Sequence, residues 1–208
     1  MSRPKMRLRY SPASPFVRKV MVFAHETGLV DRLELIATDV WSQDLADFHR
    51  ANPLGKIPTL TTDDGTFIGS ALCCEYLDTL HTGRRLIPSE PRSRWPVLQL
   101  HAIGDGILEA AVVRVVEVVR KSQEFRYLPN VDRQTGKITR ALDSIEAEVR
   151  SIGKTPDLAT ITLACALGYL DFRLPELDWR QGRPATAEWF GPFAARRSMV
   201  ATQPRLPK

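Results

Sequence analysis

Asn52-Pro53-Leu54-Gly55-Lys56-Ile57-Pro58-Thr59-Leu60 is the stretch on which the chain turns. Pro58 stands immediately before the β-prone run Thr59, Leu60, Thr61, and a proline has no N–H to give to a ladder, so it belongs at the first residue or the edge of a strand. The Ile57-Pro58 bond at such a corner is a candidate for the cis form, with an ordinary trans loop proline as the alternative. In the cis form the backbone N–H and C=O of Ile57 turn outward as a short strip that can pair with an extended peptide, a strand addition in miniature. Ten residues on, Gly69-Ser70 heads an apolar helical run.

Working outward, 208 residues with 43% hydrophobic and 25% charged side chains suffice for one large or two small domains with a full core. No apolar run approaches the length of a membrane span, which argues against a membrane partner. The net charge of +5 raises nucleic acid as a ligand, but the arginines are scattered over every expected element with no aromatics interleaved, which favours a solvated basic surface. Arg3, Lys5, Arg7 and Arg9 without an acid resemble a transit peptide; Met6, Leu8 and Tyr10 alternate with them at a period of two, and a strand with nothing to be cleaved is the preferred reading. Cys73, Cys74 and Cys165 are odd in number, and helical neighbours diverge too far to bridge easily, so a reducing cytoplasm with idle or core-filling thiols is expected.

The first strand spans about 6–10 and runs into Ser11-Pro12-Ala13-Ser14-Pro15-Phe16, after which Val17, Val20, Met21 and Ala24 recur at helical spacing as far as Gly28. Pro15 suits a first helical turn and makes Ser14 the N-cap. That alone explains Ser14; an exposed hydroxyl beside free N–H groups at a helix N-terminus is also a place to stabilise a thiolate or another anion. A strand at 33–37, a short helix at 42–51, a hairpin turning on Asp63-Asp64-Gly65, and a helix capped by Ser70 and ended around Gly83 complete a β-α-β-α-β-β-α order, that of a thioredoxin-like module over 1–83. A polar linker over 84–91 leads to an all-helical part over 92–208. There a long helix or bent pair at 93–127 is interrupted at Gly104-Asp105-Gly106, and helices follow at 132–152, 157–173 and 186–195 before a frayed tail. Asp157 and Thr160 look like a capping pair for the 157–173 helix.

A thioredoxin-like half followed by an all-helical half of this length resembles the cytosolic glutathione transferases. Ser14-Pro15-Phe16 is similar to their Ser-Pro-Phe or Cys-Pro-Phe segment, 52–60 to their cis-proline segment, Gly69-Ser70 with Ala71 and Tyr76-Leu77 to their acid-Ser helix start, and the Asp157-capped helix to one of their second domain. The resemblance implies a transferase that passes glutathione, its co-substrate, to a small hydrophobic electrophile in detoxification, without a metal. On it Ser14 stabilises the thiolate, with Ser11 the second choice. Phe16, Lys56, Ile57, Pro58, Gly69 and Ser70 form the glutathione site, Lys56 facing the glycyl carboxylate and Ser70 the γ-glutamyl carboxylate. Ile107, Leu108, Ala111 and Val115 wall the electrophile pocket. A homodimer is expected from the resemblance and from the glycine-rich break, which would let two copies of the long helix approach.

The sequence departs from the family at Gly69, where an acid or Gln usually meets the γ-glutamyl ammonium. Asp105, reaching across a dimer, is the candidate replacement, weighed about evenly against a solvated Asp beside a helix kink. Two other functions stay open: a glutathione-dependent reductase or peroxidase, disfavoured by serine at both sulfur positions of Ser11-Pro12-Ala13-Ser14, and a non-catalytic transferase-like module that binds a protein partner or stress ligand.

Overall fold

The computed structural model describes residues 5–42 and 45–207. Arg3 of the basic N-terminus and positions 43 and 44 of the expected 42–51 helix lie outside the described residues. β1, Met6–Tyr10, buries Met6 and Leu8 and exposes Arg7, the alternation its sequence carries. It pairs in parallel with β2, Leu33–Ala37, and antiparallel with β3, Thr59–Thr62, which forms a hairpin with β4, Gly65–Ile68; the order is β2-β1-β3-β4.

Helix α1, Pro15–Glu26, follows β1 and packs against α3, Ser70–Asp78. Between them α2, Ala46–Ala51, buries Phe48, whose ring lies 5.0 Å beneath the Arg9 guanidinium. Tyr76 of α3 stacks on Phe67 with ring centres 4.0 Å apart and donates to Asp64 in the hairpin turn at 2.7 Å, so α3 is fastened to β4 at both ring and hydroxyl. The helix stops at Asp78, short of Gly83, because the buried Asp78 carboxylate accepts from the N–H of Leu86 at 2.9 Å and of Ile87 at 3.1 Å. The first residues of the expected linker are therefore clamped, with Leu86 and Ile87 buried.

The remaining helices are α4, Pro91–Val115, continuing into a π-helical turn at Val116–Arg120; α5, Leu128–Glu148; α6, Leu158–Arg173; α7, Pro184–Ala194; and α8, Arg197–Ala201. α6 is buried along most of its length. It begins with the expected reciprocal cap, Thr160 N–H to Asp157 Oδ1 and Asp157 N–H to Thr160 Oγ1, each at 2.8 Å.

Gly104-Asp105-Gly106 does not interrupt α4. A Cβ on Gly104 would meet Thr162 Cγ2 at 3.1 Å and the Leu163 nitrogen at 3.3 Å, so this glycine lets α4 close on α6 within one chain. Gly106, by contrast, is exposed with open space at its Cβ.

The chain divides into two compact units, one reaching Ile87 and regaining Ser198 onward, the other Pro88–Arg197. This differs from a helical part that keeps everything over 92–208. The tail expected to fray is instead tied to the first unit: Arg18 Nη2 donates to the Met199 carbonyl at 3.1 Å, Ser198 donates to Glu26, and the Arg205 N–H donates to the Pro12 carbonyl at 3.2 Å.

All three thiols are buried, and burial pushes the Cys73 thiol up from 9.0 to about 12. Cys73 thus holds its proton more tightly folded than unfolded. That contribution to stability is complete below about pH 9 and is lost as the pH rises toward about 12.

Two outcomes are expected. Gly104→Ala overpacks the α4–α6 contact and destabilises by about 1–3 kcal/mol, whereas Gly106→Ala, with open space at its Cβ, stabilises the helix by up to about 1 kcal/mol; urea titrations giving the two variants equal midpoints would contradict this packing. A chromogenic disulfide reagent at pH 8 should find no thiol in the native protein and three after urea, and rapid native labelling of any of them would refute their burial.

Candidate functional site

The register of the sheet assembles the site. Arg9 lies opposite Thr59, and Thr59 opposite Ile68, so the loop leaving β1, the turn entering β3 and the step from β4 into α3 all emerge at the same end of the sheet.

The first segment, Ser11–Ser14, is a turn closed by the Ser14 N–H on the Ser11 carbonyl at 3.1 Å. Ser14 is the N-cap of α1: its backbone is extended, at φ −81° and ψ 119°, and its Oγ accepts from the Val17 N–H at 3.3 Å. That bond uses a lone pair and leaves the hydroxyl proton free to be donated. Ser11 Oγ lies 3.5 Å from the Ala13 nitrogen, and both serines are half-buried. Phe16 is half-buried beneath the fully buried Lys19, whose Nζ lies 5.8 Å from the ring centre.

The second segment carries the expected cis Ile57-Pro58 bond. Its geometry rests on Asn52, which is 1% exposed. The side-chain amide donates to the Lys56 carbonyl at 2.7 Å and to Thr59 Oγ1 at 2.9 Å, and its oxygen accepts from the Leu54 N–H at 2.9 Å. The turn closes through the Gly55 N–H on the Asn52 carbonyl at 3.0 Å. Gly55 has φ +60°, and a Cβ there would meet His49 Nε2 at 3.1 Å, so only glycine fits without strain. Pro58 is buried, Lys56 exposed and Ile57 half-buried; the β1–β3 ladder begins at Thr59, which leaves Ile57 outside it. Asn52 was quoted in the motif but given no role, although an Asn just before a Pro-Leu-Gly turn is the residue type that bonds its own backbone two residues on.

The third segment corrects an assignment. Gly69, not Ser70, is the N-cap of α3, and Ser70 is its first helical residue, 5% exposed. The cap must leave helical conformation, and Gly69 does so at φ +86° and ψ 139°, a region that side-chain-bearing residues avoid. The backbone itself therefore explains the glycine that stands where an acid is expected.

The first unit thus brings Ser11, Ser14, Phe16, Lys56, Ile57, Pro58, Gly69 and Ser70 to one end of its sheet, while Asp105 and the four apolar candidates belong to the second unit. Asp105 is half-buried on α4 and is not free of partners. Ile107, Leu108, Ala111 and Val115 are 0–4% exposed, which is core packing and leaves no surface for an electrophile. Their expected role as pocket walls does not hold; α4 and the turn after it leave other apolar side chains at least partly exposed, among them Trp95, Leu98, Ile103, Val112, Val113 and Val116. Among the described residues no three His, Cys, Asp or Glu side chains are grouped so as to hold a metal ion. No helix among them is long and apolar enough to cross a membrane.

Residues 13–80 match the family model described as glutathione S-transferase, N-terminal domain, and residues 129–191 that of the C-terminal domain. The uncharacterized GST-like protein YibF of Escherichia coli K12 is 34% identical over 205 residues, covering 96% of this chain and 98% of that protein. A glutathione transferase family member from Pseudomonas fluorescens Pf-5, solved with bound glutathione, superposes with a TM-score of 0.92 at 42% identity, covering 97% of this chain and all of that one. A second structure of a family member from the same organism holds S-(propanoic acid)-glutathione, with a TM-score of 0.87 at 42% identity over 96% of this chain and all of that one. A mixed four-stranded unit followed by a helical one, matched over both by family models and over nearly its whole length by these relatives, places the chain in the glutathione S-transferase family.

Proposed function

We propose that this protein is a glutathione transferase in which Ser14 holds glutathione as its thiolate for attack on a small hydrophobic electrophile. The observation that carries the reading is the convergence of a serine-capped helix N-terminus, an unpaired Ile57 backbone and the start of α3 at one end of the sheet. Each segment suits one part of a γ-linked tripeptide. Ile57 lies where an extended peptide would continue the ladder. Ser70 and the N–H groups at the α3 N-terminus suit a carboxylate, and the exposed Lys56 suits the second carboxylate. Ser14 Oγ, one lone pair already engaged by the Val17 N–H, keeps its proton and donates a hydrogen bond to the thiolate sulfur.

A free thiol of pKa about 8.5 is mostly protonated at neutral pH. A hydroxyl donor that lowers it by one unit contributes about 1.4 kcal/mol to the thiolate. The relative that holds S-(propanoic acid)-glutathione supports an S-alkylated product at such a site. Buried thiols that form no disulfide support a cytoplasmic protein.

Ser14→Ala should lower conjugation of a model electrophile by about tenfold or more and shift the pH profile of kcat/KM to higher pH, at a stability cost of about 1 kcal/mol for the lost cap. Wild-type turnover in Ser14→Ala would end the thiolate role and turn attention to Ser11.

The site also lacks an acid at position 69, and we assign Asp105 of a second copy in a homodimer to the γ-glutamyl ammonium. A charged hydrogen bond of this kind contributes roughly 1.5–3 kcal/mol. Gly69→Glu should therefore tighten glutathione and blunt the effect of Asp105→Ala, with calorimetry of the four proteins of the cycle showing the coupling. Sedimentation as a particle of monomer mass, or additive effects in the cycle, would remove Asp105 from the site.

A further inference from the structure

The C-terminal segment reaches the turn that carries Ser14. Ser11–Ser14 is a four-residue turn whose central peptide joins Pro12 to Ala13, and both ends of that peptide are held. The Pro12 carbonyl accepts from the Arg205 N–H at 3.2 Å, and the Ala13 nitrogen lies 3.5 Å from Ser11 Oγ. The central peptide is the soft element of a β-turn, since rotating it by half a turn interconverts types I and II while the flanking residues stay in place. Ala13 is not among the described residues of positive φ, so the turn has the type I form. Arg205 does not hang freely from a loose end: Arg18, buried in α1, donates to the Met199 carbonyl, and Ser198 donates to Glu26 at the far end of the same helix. The segment from Ser198 to Arg205 is therefore anchored to α1 before it meets the turn.

From this geometry we infer that the C-terminal segment is a strap that sets the catalytic turn, with Arg205 a positioning residue acting through its backbone N–H. It rests on the reading of Ser14 as the thiolate donor. Without the strap the Pro12–Ala13 peptide is free to rotate, Ser14 enters α1 at a different angle, and its hydroxyl no longer meets the sulfur at the fixed direction that Val17 and the turn define. At the turn the strap bonds main chain to main chain, so the identity of the residue at 205 is immaterial as long as it carries an N–H. Proline does not, and its ring would occupy the 3.2 Å gap to the Pro12 carbonyl.

The test compares Arg205→Pro with Arg205→Ala in the full chain, reading amide hydrogen exchange at Ala13 and Ser14, the pH profile of kcat/KM with a model electrophile, and thermal stability. Arg205→Pro is expected to speed exchange at those two amides by about tenfold or more, to displace the profile to higher pH and to lower kcat more than it raises the glutathione KM, with the melting temperature little changed. Arg205→Ala is expected to match wild type in all of them. Unchanged exchange in Arg205→Pro overturns the strap whatever the protein catalyses. Faster exchange with a wild-type pH profile overturns the positioning role, as does an Arg205→Ala variant that reproduces the proline effect. Failure of the thiolate reading has its own signature, a Ser14→Ala variant with wild-type turnover, and leaves the exchange measurements to decide the strap.

Discussion

The buried side chain of Asn52 is the interaction on which the candidate site depends. One amide bonds the Lys56 carbonyl, the Thr59 hydroxyl and the Leu54 N–H, all within eight residues of chain. A typical hydrogen bond of this kind contributes about 1 kcal/mol net, but a buried partner left unmatched costs about 1–3 kcal/mol, so the three stand or fall together. What they hold is the point where the chain leaves a tight turn and enters the central part of the sheet. Thr59 is opposite Arg9 on one side and Ile68 on the other. Displacing it would disturb the exit of β1, the entry of β3 and the start of α3 at once, and with them the three segments that a tripeptide would meet.

Much of this was legible in the sequence because it is written in local rules. Period-two burial in Met6–Tyr10, a proline without an N–H ahead of a strand, and Ser-Pro at a helix start each constrain only a few neighbouring residues. The Asp157–Thr160 cap is of the same kind. The errors came where two readings share one local pattern. Ile107, Leu108, Ala111 and Val115 form one apolar stripe of α4, and Val112 and Val113, with Val116 just beyond its end, another; composition does not distinguish them, and the packing of α5 and α6 against α4 decides which is buried. Gly104 reads as a break in a helix and proves to be a close contact, because a missing Cβ is equally consistent with both. The tie between Arg205 and Pro12 had no signal at all, since a main-chain donor is present at every residue but proline.

Gly69 illustrates how a site can lose a ligand contact for reasons of backbone geometry. At φ +86° and ψ 139° a residue with a side chain is strained by about 1–3 kcal/mol, the same order as the charged hydrogen bond that an acid there would make to an ammonium. The two terms do not cancel in any one measurement. Strain is felt in folding, with or without glutathione, while the hydrogen bond is felt only in binding. A chain with glycine at 69 therefore keeps a relaxed α3 entry, and on the proposed reading an ammonium bound there would need a group from elsewhere.

The distribution of sulfur and oxygen in the first unit bears on which glutathione chemistry the site suits. Glutathione-dependent reductases on the scaffold that this chain resembles often place a cysteine at the helix N-terminus, where the chain instead has the Ser14 hydroxyl. The thiols of this unit, Cys73 and Cys74, are buried within the fold, and burial raises Cys73 to about 12. At neutral pH Cys73 therefore stays protonated, with no exposed surface from which it could attack a mixed disulfide. A hydroxyl that caps a helix has the opposite character. It does not form a mixed disulfide, one of its lone pairs is engaged by the Val17 N–H, and its O–H can donate a hydrogen bond to an anion while keeping the proton. Such a group stabilises an anion supplied by a ligand, which is what conjugation of glutathione asks of the protein.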